Sequence, residues 1–115
     1  MAFQNLPFSK SRAYQGLVFL SGEVPFDSEG KIPAGVGAQT ELTLSNISAT
    51  LAREGLSLAD VISVTVYLTN RDDFAEFNRV YASHFSAPLP VRTTICTQLM
   101  IDACVELTVI AARHS

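Results

Sequence analysis

Long apolar runs are missing from this chain of 115 residues. Its longest, such as Leu17 to Leu20 and Val109 to Ala112, are strand-sized, far below the roughly 20 residues that cross a bilayer. No membrane partner is expected. The start, Met-Ala-Phe-Gln-Asn, lacks a basic region followed by an apolar core, so no secretory signal is read and a cytoplasmic location is expected. Positive charge is also scarce. Eight Lys and Arg stand against eleven Asp and Glu, a net charge of −3 with no basic run, which argues against nucleic acid as a partner. Two cysteines, Cys96 and Cys104, are too few for a disulfide framework and match no metal-ligand spacing. They read as reduced, packed thiols, and no metal is expected. No phosphate-binding loop, dinucleotide fingerprint or His-Glu-x-x-His motif occurs, and neither Ser9 nor Ser21 has a neighbour that would activate a nucleophile.

What remains is an apolar-rich sequence, 48% hydrophobic, long enough to bury a core as one globular domain over residues 1–115. Arg12 to Tyr14 and Leu17 to Glu23 read as strands joined by a tight Gln15-Gly16 turn. Gly22 within the second run marks a bulge or a close approach to the backbone. Residues 25–33 are dense in turn formers and form a loop. From about Gly37 the period becomes helical, with Leu44, Ile47 and Leu51 on one side, Ala38, Gln39 and Leu42 feeding it, and Gly55 closing the helix.

Val61 to Leu68 alternates as a strand, with Ile62, Val64, Val66 and Leu68 on one face. A second helix begins at Asp72 or Asp73, with Glu76 in capping-box spacing, and carries Phe74, Phe77, Tyr81 and Phe85 as an apolar stripe read as packing. Two strands, Arg92 to about Leu99 and Ala103 to about Ala112, are expected to pair as a hairpin around Met100-Ile101-Asp102. His84 and His114 read as solvated or helix-capping.

The order β-β-α-β-α-β-β indicates an α+β layer sandwich: a mixed sheet with two helices on one face. Thr65, Tyr67, Thr94, Cys96, Glu106, Thr108 and Ile110 would then form a face that no helix is left to cover, so a partner subunit is expected there.

Two residues stand out chemically. Arg92 follows a Pro-x-Pro-x loop and opens a strand, a stiff mount for a guanidinium that can grip a carboxylate with two parallel hydrogen bonds; the alternative is an ordinary surface arginine. Glu106 sits mid-strand, where β-propensity disfavours it. A hairpin could bring it to the pocket of Arg92, where it would orient water or accept a proton; the alternative is a structural ion pair with Arg92.

Read together, Pro7-Phe8-Ser9, Phe19-Leu20-Ser21-Gly22-Glu23, Gln39-Thr40, Leu44-x-Asn46-Ile47, Asp60-Val61 with Thr65 to Thr69, Phe74-x-x-x-Asn78-x-x-Tyr81, Pro90-Val91-Arg92-Thr93 and Val105-Glu106-Leu107 resemble the RidA (YjgF/YER057c/UK114) family nearly end to end. The resemblance implies a chorismate-mutase-like homotrimer with sites between subunits, hydrolysing reactive 2-enamine and 2-imine acids such as 2-aminoacrylate to 2-keto acids and ammonia without a cofactor. It assigns Arg92 to the substrate carboxylate, Glu106 to the attacking water, Gly22 to backbone hydrogen bonding, main-chain groups beside Thr94 to the carboxylate site, and Phe8 to closure over the ligand. Ser21, Glu23 and Asn78 fall at cleft-lining positions, Asn78 being read by preference as helix packing. The chain departs from the family's common tyrosine at Phe8, cysteine at Thr94 and glutamine at Glu23. Two other functions fit the same resemblance: a noncatalytic trimer binding small carboxylates or keto acids, and a deaminase of a larger unsaturated amino acid of the 2-aminomuconate type.

Overall fold

A computed structural model describes residues 6–114. Gln15 and Gly16 both adopt positive φ, 50° and 81°, the two-residue turn whose twist matches that of the flanking strands. It joins β1 (Ser11–Tyr14) to β2 (Leu17–Leu20) in the expected antiparallel hairpin. The bulge read at Gly22 is present. Phe19 pairs with Ile110 in the last strand, and Glu23, four residues on, pairs with Leu107, only three before Ile110. One extra residue at Ser21-Gly22 is looped out, and Glu23 rejoins the sheet as a single bridge.

α1 (Val36–Arg53) buries Leu44, Ile47 and Leu51 completely and closes at Gly55, whose φ of 74° suits a residue without Cβ. Ala38 is exposed instead of contributing to that side. The helix also buries Thr40, Thr43 and Thr50, and each hydroxyl donates to the carbonyl one turn earlier, so no polar group is stranded. Gln39, buried at its start, accepts from the Cys104 amide at 2.6 Å and donates to the Pro33 carbonyl at 2.9 Å, tying two loops to the helix.

β3 (Val61–Leu68) corrects one detail of the alternation. A register shift between Val61 and Ser63 puts Val61, with Val64, Val66 and Leu68, on the buried side and leaves Ile62 exposed. The irregularity rotates one residue to the other face. α2 (Phe74–Ala82) follows a short 3-10 turn over Arg71–Asp73. Here Asn70 is the cap, accepting from the Asp72 amide, while Glu76 pairs with Arg79, so the capping box read at Asp73 and Glu76 does not form.

The end of the chain differs most from expectation. β4 (Val91–Cys96) pairs parallel to β3, and β5 (Val105–Ala112) runs antiparallel to both β3 and β2, so the order across the sheet is β1-β2-β5-β3-β4. β4 and β5 are therefore not a hairpin. β3 lies between them, with both hydrogen-bonding edges used, and residues 97–104 cross its end.

The architecture is the expected α+β one, a mixed five-stranded sheet with two helices. Val18, Leu20, Val64, Val66, Val105, Leu107, Val109 and Ala111 supply the sheet's side of the core, meeting α1 and the stripe of α2. Phe77 is fully buried and Tyr81 nearly so, but Phe74 stays half-exposed at the rim. No helix among the described residues is long and apolar enough to cross a membrane.

Candidate functional site

Parallel pairing of β4 with β3 decides where Arg92 points. Arg92 is opposite Val64, and Thr94 and Cys96 are opposite Val66 and Leu68, so all three share the helix-side face. Partners across a ladder lie on the same side of the sheet. The expectation that Thr94 and Cys96 join Thr65 and Tyr67 on the uncovered face is thus corrected; Val91, Thr93 and Ile95 do so from this strand. Because β4 is an edge, its helix-side residues overhang the rim of α2 instead of entering the core.

There the guanidinium meets the aromatic stripe. Its Cζ lies 5.8 Å from the ring centre of Phe74, 5.4 Å from Phe77 and 4.8 Å from Tyr81. A delocalised, weakly hydrated cation stacks well on such faces. The stripe read as packing therefore also positions Arg92. None of the side-chain ion pairs among the described residues includes Arg92. The Tyr81 hydroxyl is buried beside it and, among the described residues, makes no well-formed hydrogen bond, the Arg92 guanidinium being its nearest polar company. Burial pushes the Tyr81 pKa up, and the Arg92 charge partly opposes it. A cavity of about 570 Å³ opens next to this arrangement, lined by Leu68, Arg71, Asp72, Phe74, Thr94, Ile95 and Cys96. The sequence marks Asp72 only as a helix start and does not mark Arg71; the turn after β3 brings both to the cavity.

Glu106 lies on the other face. It pairs with Tyr67 across β3 and lines a smaller cavity, about 240 Å³, with Tyr67, Thr108 and residues 97–100. Its carboxylate rests against Gly22, where an added Cβ would overlap Oε2. The close approach read from that glycine is real, and the approaching group is Glu106. Burial, and then the charge of Glu23, raise the Glu106 pKa above the usual carboxylate range. Glu23 is buried and holds the Lys10 Nζ at 2.8 Å.

Phe8 is exposed and shares a shallow hollow of about 340 Å³ with Ser9, Ser11, Arg12, Phe19, Leu20 and Ser21; the Ser21 hydroxyl donates to the Ser9 carbonyl at 2.6 Å. Asn78 is half-buried on α2. Both histidines are paired: His84 Nε2 lies 2.8 Å from Glu41 and His114 Nε2 lies 2.8 Å from Asp60. Cys96 is exposed, Cys104 half-buried, and the two are unlinked.

One chain thus carries two groups of candidate residues, Arg92 with Thr94 on one face and Gly22 with Glu106 on the other. The expected meeting of Arg92 and Glu106 within a single hairpin fails because β3 separates their strands and the register turns the two side chains to opposite sides.

A model of the endoribonuclease L-PSP family matches residues 3–113. A RutC family protein of Pyrococcus horikoshii is 39% identical over 111 residues, 94% of this chain and 88% of that protein. TdcF of Escherichia coli, named as a candidate reactive intermediate deaminase, is 36% identical over 114 residues, 95% of this chain and 88% of its own length. The crystal structure of TdcF with bound serine matches with a TM-score of 0.87 at 34% identity, covering 94% of this chain and 89% of that one. RidA from an Antarctic Psychrobacter matches with a TM-score of 0.89 at 32% identity, over 94% of this chain and 89% of that one.

Proposed function

Since this chain belongs to the endoribonuclease L-PSP family, alongside TdcF and RidA, we propose that it hydrolyses 2-imino and 2-enamino acids, such as 2-aminoacrylate, to 2-keto acids and ammonia. The observation that carries this reading is Arg92, a guanidinium stacked on three rings and in no ion pair among the described residues. It is built to receive an anion. A carboxylate gripped in two hydrogen bonds there would be fixed in orientation, presenting the adjacent C=N carbon.

Glu106 supplies the other requirement. Its ionised carboxylate accepts a proton from water as the oxygen adds to the imine carbon, giving a carbinolamine. That same proton passes to the imine nitrogen to complete the carbinolamine, and the carbinolamine's hydroxyl proton, carried by the same carboxylate to nitrogen as the C–N bond breaks, lets ammonia leave and the carbonyl form. Such imines hydrolyse spontaneously, so placement and proton transfer, the latter worth about 10²–10⁴-fold, suffice. The reaction as written consumes one water and calls on no cofactor.

Opposite faces cannot cooperate within one chain, which supports a homotrimer in which the β4 rim of one subunit docks on the Gly22–Glu106 face of its neighbour. Exposed Phe19 and Ile95 on the uncovered side of the sheet give such a contact apolar material. Phe8 would close over the ligand, and backbone groups beside Thr94 and Gly22 would complete its hydrogen bonding. A cytoplasmic setting, where dehydratases release such imines, goes with this reading.

Serine in the TdcF structure favours one second reading, binding of small carboxylates without turnover. The family's ribonuclease name gains no support from this chain: its charge is −3 and each histidine faces its own carboxylate.

The test is ammonia and keto-acid release from enzymatically generated 2-imino acids by the full chain and by Arg92→Ala. Acceleration that the variant loses supports deamination. Binding of 2-ketobutyrate without acceleration favours the second reading. No acceleration, with Arg92→Ala indistinguishable from the parent in turnover and binding, ends both.

A further inference from the structure

We propose that Tyr81 is a positioning residue whose hydroxyl holds the Arg92 guanidinium from its buried side and so sets how tightly that cation receives a carboxylate. This rests on the reading of Arg92 as the group that takes the ligand's carboxylate. The Tyr81 ring is itself fixed by two neighbours: its centre lies 5.4 Å from that of Phe77 and 4.6 Å from that of Phe85, tilted by 35° and 31°. Of the three rings around Arg92 it is the nearest, at 4.8 Å from Cζ, and it alone carries a polar atom. A ring so confined leaves its hydroxyl little choice of direction.

That hydroxyl stands apart in a core otherwise well paired. The buried threonine hydroxyls of α1 each donate to a carbonyl one turn earlier. The Tyr81 oxygen, on a residue only 8% exposed, makes no well-formed hydrogen bond among the described residues. A buried hydroxyl left unsatisfied costs stability, and phenylalanine would fill the same space without that cost. Stability therefore does not account for the oxygen. Arginine has only donors, whereas a phenol oxygen has lone pairs, so the two can interact in one sense: the guanidinium donates and Tyr81 accepts. The Arg92 charge is felt at this oxygen, for it opposes the rise that burial gives the Tyr81 pKa. Shut off from water, the oxygen is also out of reach of a ligand arriving at the open side of the guanidinium, so it acts through Arg92.

Stacking and the hydroxyl do different things. Ring faces hold a cation close but let its plane turn about Nε–Cζ, while an oxygen acceptor fixes which N–H groups point inward and which stay free for two parallel bonds to a carboxylate. Tyr81→Phe removes the second effect and keeps the first. Affinity for a carboxylate should then fall while the fold keeps its stability or gains. A hydroxyl that merely filled the core would leave affinity in place.

The experiment follows rotation of the Arg92 guanidinium about Nε–Cζ by NMR in ¹⁵N-arginine-labelled full-length protein, assigned with Arg92→Lys, beside calorimetric binding of 2-ketobutyrate and thermal unfolding. In Tyr81→Phe rotation should be several-fold faster, the Kd for 2-ketobutyrate about 5- to 10-fold higher, the size of one hydrogen bond, and the thermal midpoint no lower than the parent's. With an imino-acid substrate, KM should rise more than kcat falls. Rotation that Tyr81→Phe leaves unchanged overturns the inference, as does an unchanged Kd where the parent binds. Faster rotation in a protein that neither binds 2-ketobutyrate nor releases ammonia upholds the hold of Tyr81 on Arg92 and sinks the deaminase reading. Turnover that Arg92→Ala abolishes, with rotation unmoved by Tyr81→Phe, does the reverse.

Discussion

The Glu106 carboxylate occupies the space that a side chain on Gly22 would need: a Cβ built there would overlap Oε2 and stand 3.1 Å from Cδ. The two residues are 84 positions apart in the chain and meet because β2 and its bulge run beside β5.

Gly22→Ala should therefore separate activity from stability. Glu106 ends in a flexible carboxylate that can swing away, so the thermal transition should shift by less than the equivalent of about 1 kcal/mol. The water-directing group would be misplaced, and kcat/KM should fall about 10²-fold. Full retention of kcat/KM would show that the position of Glu106 does not matter to the reaction.

Arg92→Lys keeps the charge and loses the planar fork. A charge-assisted hydrogen bond is worth about 1.5–3 kcal/mol, so kcat/KM should drop about 10- to 100-fold while circular dichroism stays unchanged. Equal activity with lysine would mean that position 92 acts as a point charge, contrary to the stacked geometry on Phe74, Phe77 and Tyr81.

Along α2 the aromatic stripe divides by depth. Phe77→Ala empties a fully buried site and should cost about 3–5 kcal/mol in urea unfolding. Phe74→Ala, at the half-exposed rim, should cost less than about 1 kcal/mol, yet it removes one of the faces against Arg92 and should raise KM. Equal losses of stability would contradict the burial seen here.

The raised proton affinity of Glu106 has a signature in stability as well as rate. The folded protein binds this proton more tightly than the unfolded chain, so the associated stabilisation is complete below the unfolded pKa and lost as pH rises through the folded one. Glu106→Gln should thus gain on the parent as urea curves are taken from about pH 4 to about pH 7. In the parent, kcat/KM should rise with pH along an acidic limb centred above the ordinary glutamate range, because the ionised form is the base. A limb within that range would remove Glu106 from the role.

Much of the fold was legible because short-range rules governed it. Gln15-Gly16 makes a hairpin by its own geometry, Leu44, Ile47 and Leu51 mark a helix by spacing, and Gly55 stops it. The last two strands look like a hairpin in sequence for a related reason: their separation permits one, and no local feature states that β3 will lie between them. Val61 and Ile62 are both apolar, so the pattern held nothing to betray the register shift that exchanges their faces.

By itself, then, the sequence determined an acidic α+β chain, the stiff mount of Arg92, the close approach at Gly22 and the out-of-place carboxylate of Glu106. Only the tertiary structure decided that Arg92 stacks on α2, that Lys10 closes over Glu23, and that Arg92 and Glu106 face opposite ways. Those facts depend on strand order and register, which arise from burying one face of the whole sheet at once and are written in no local run of residues.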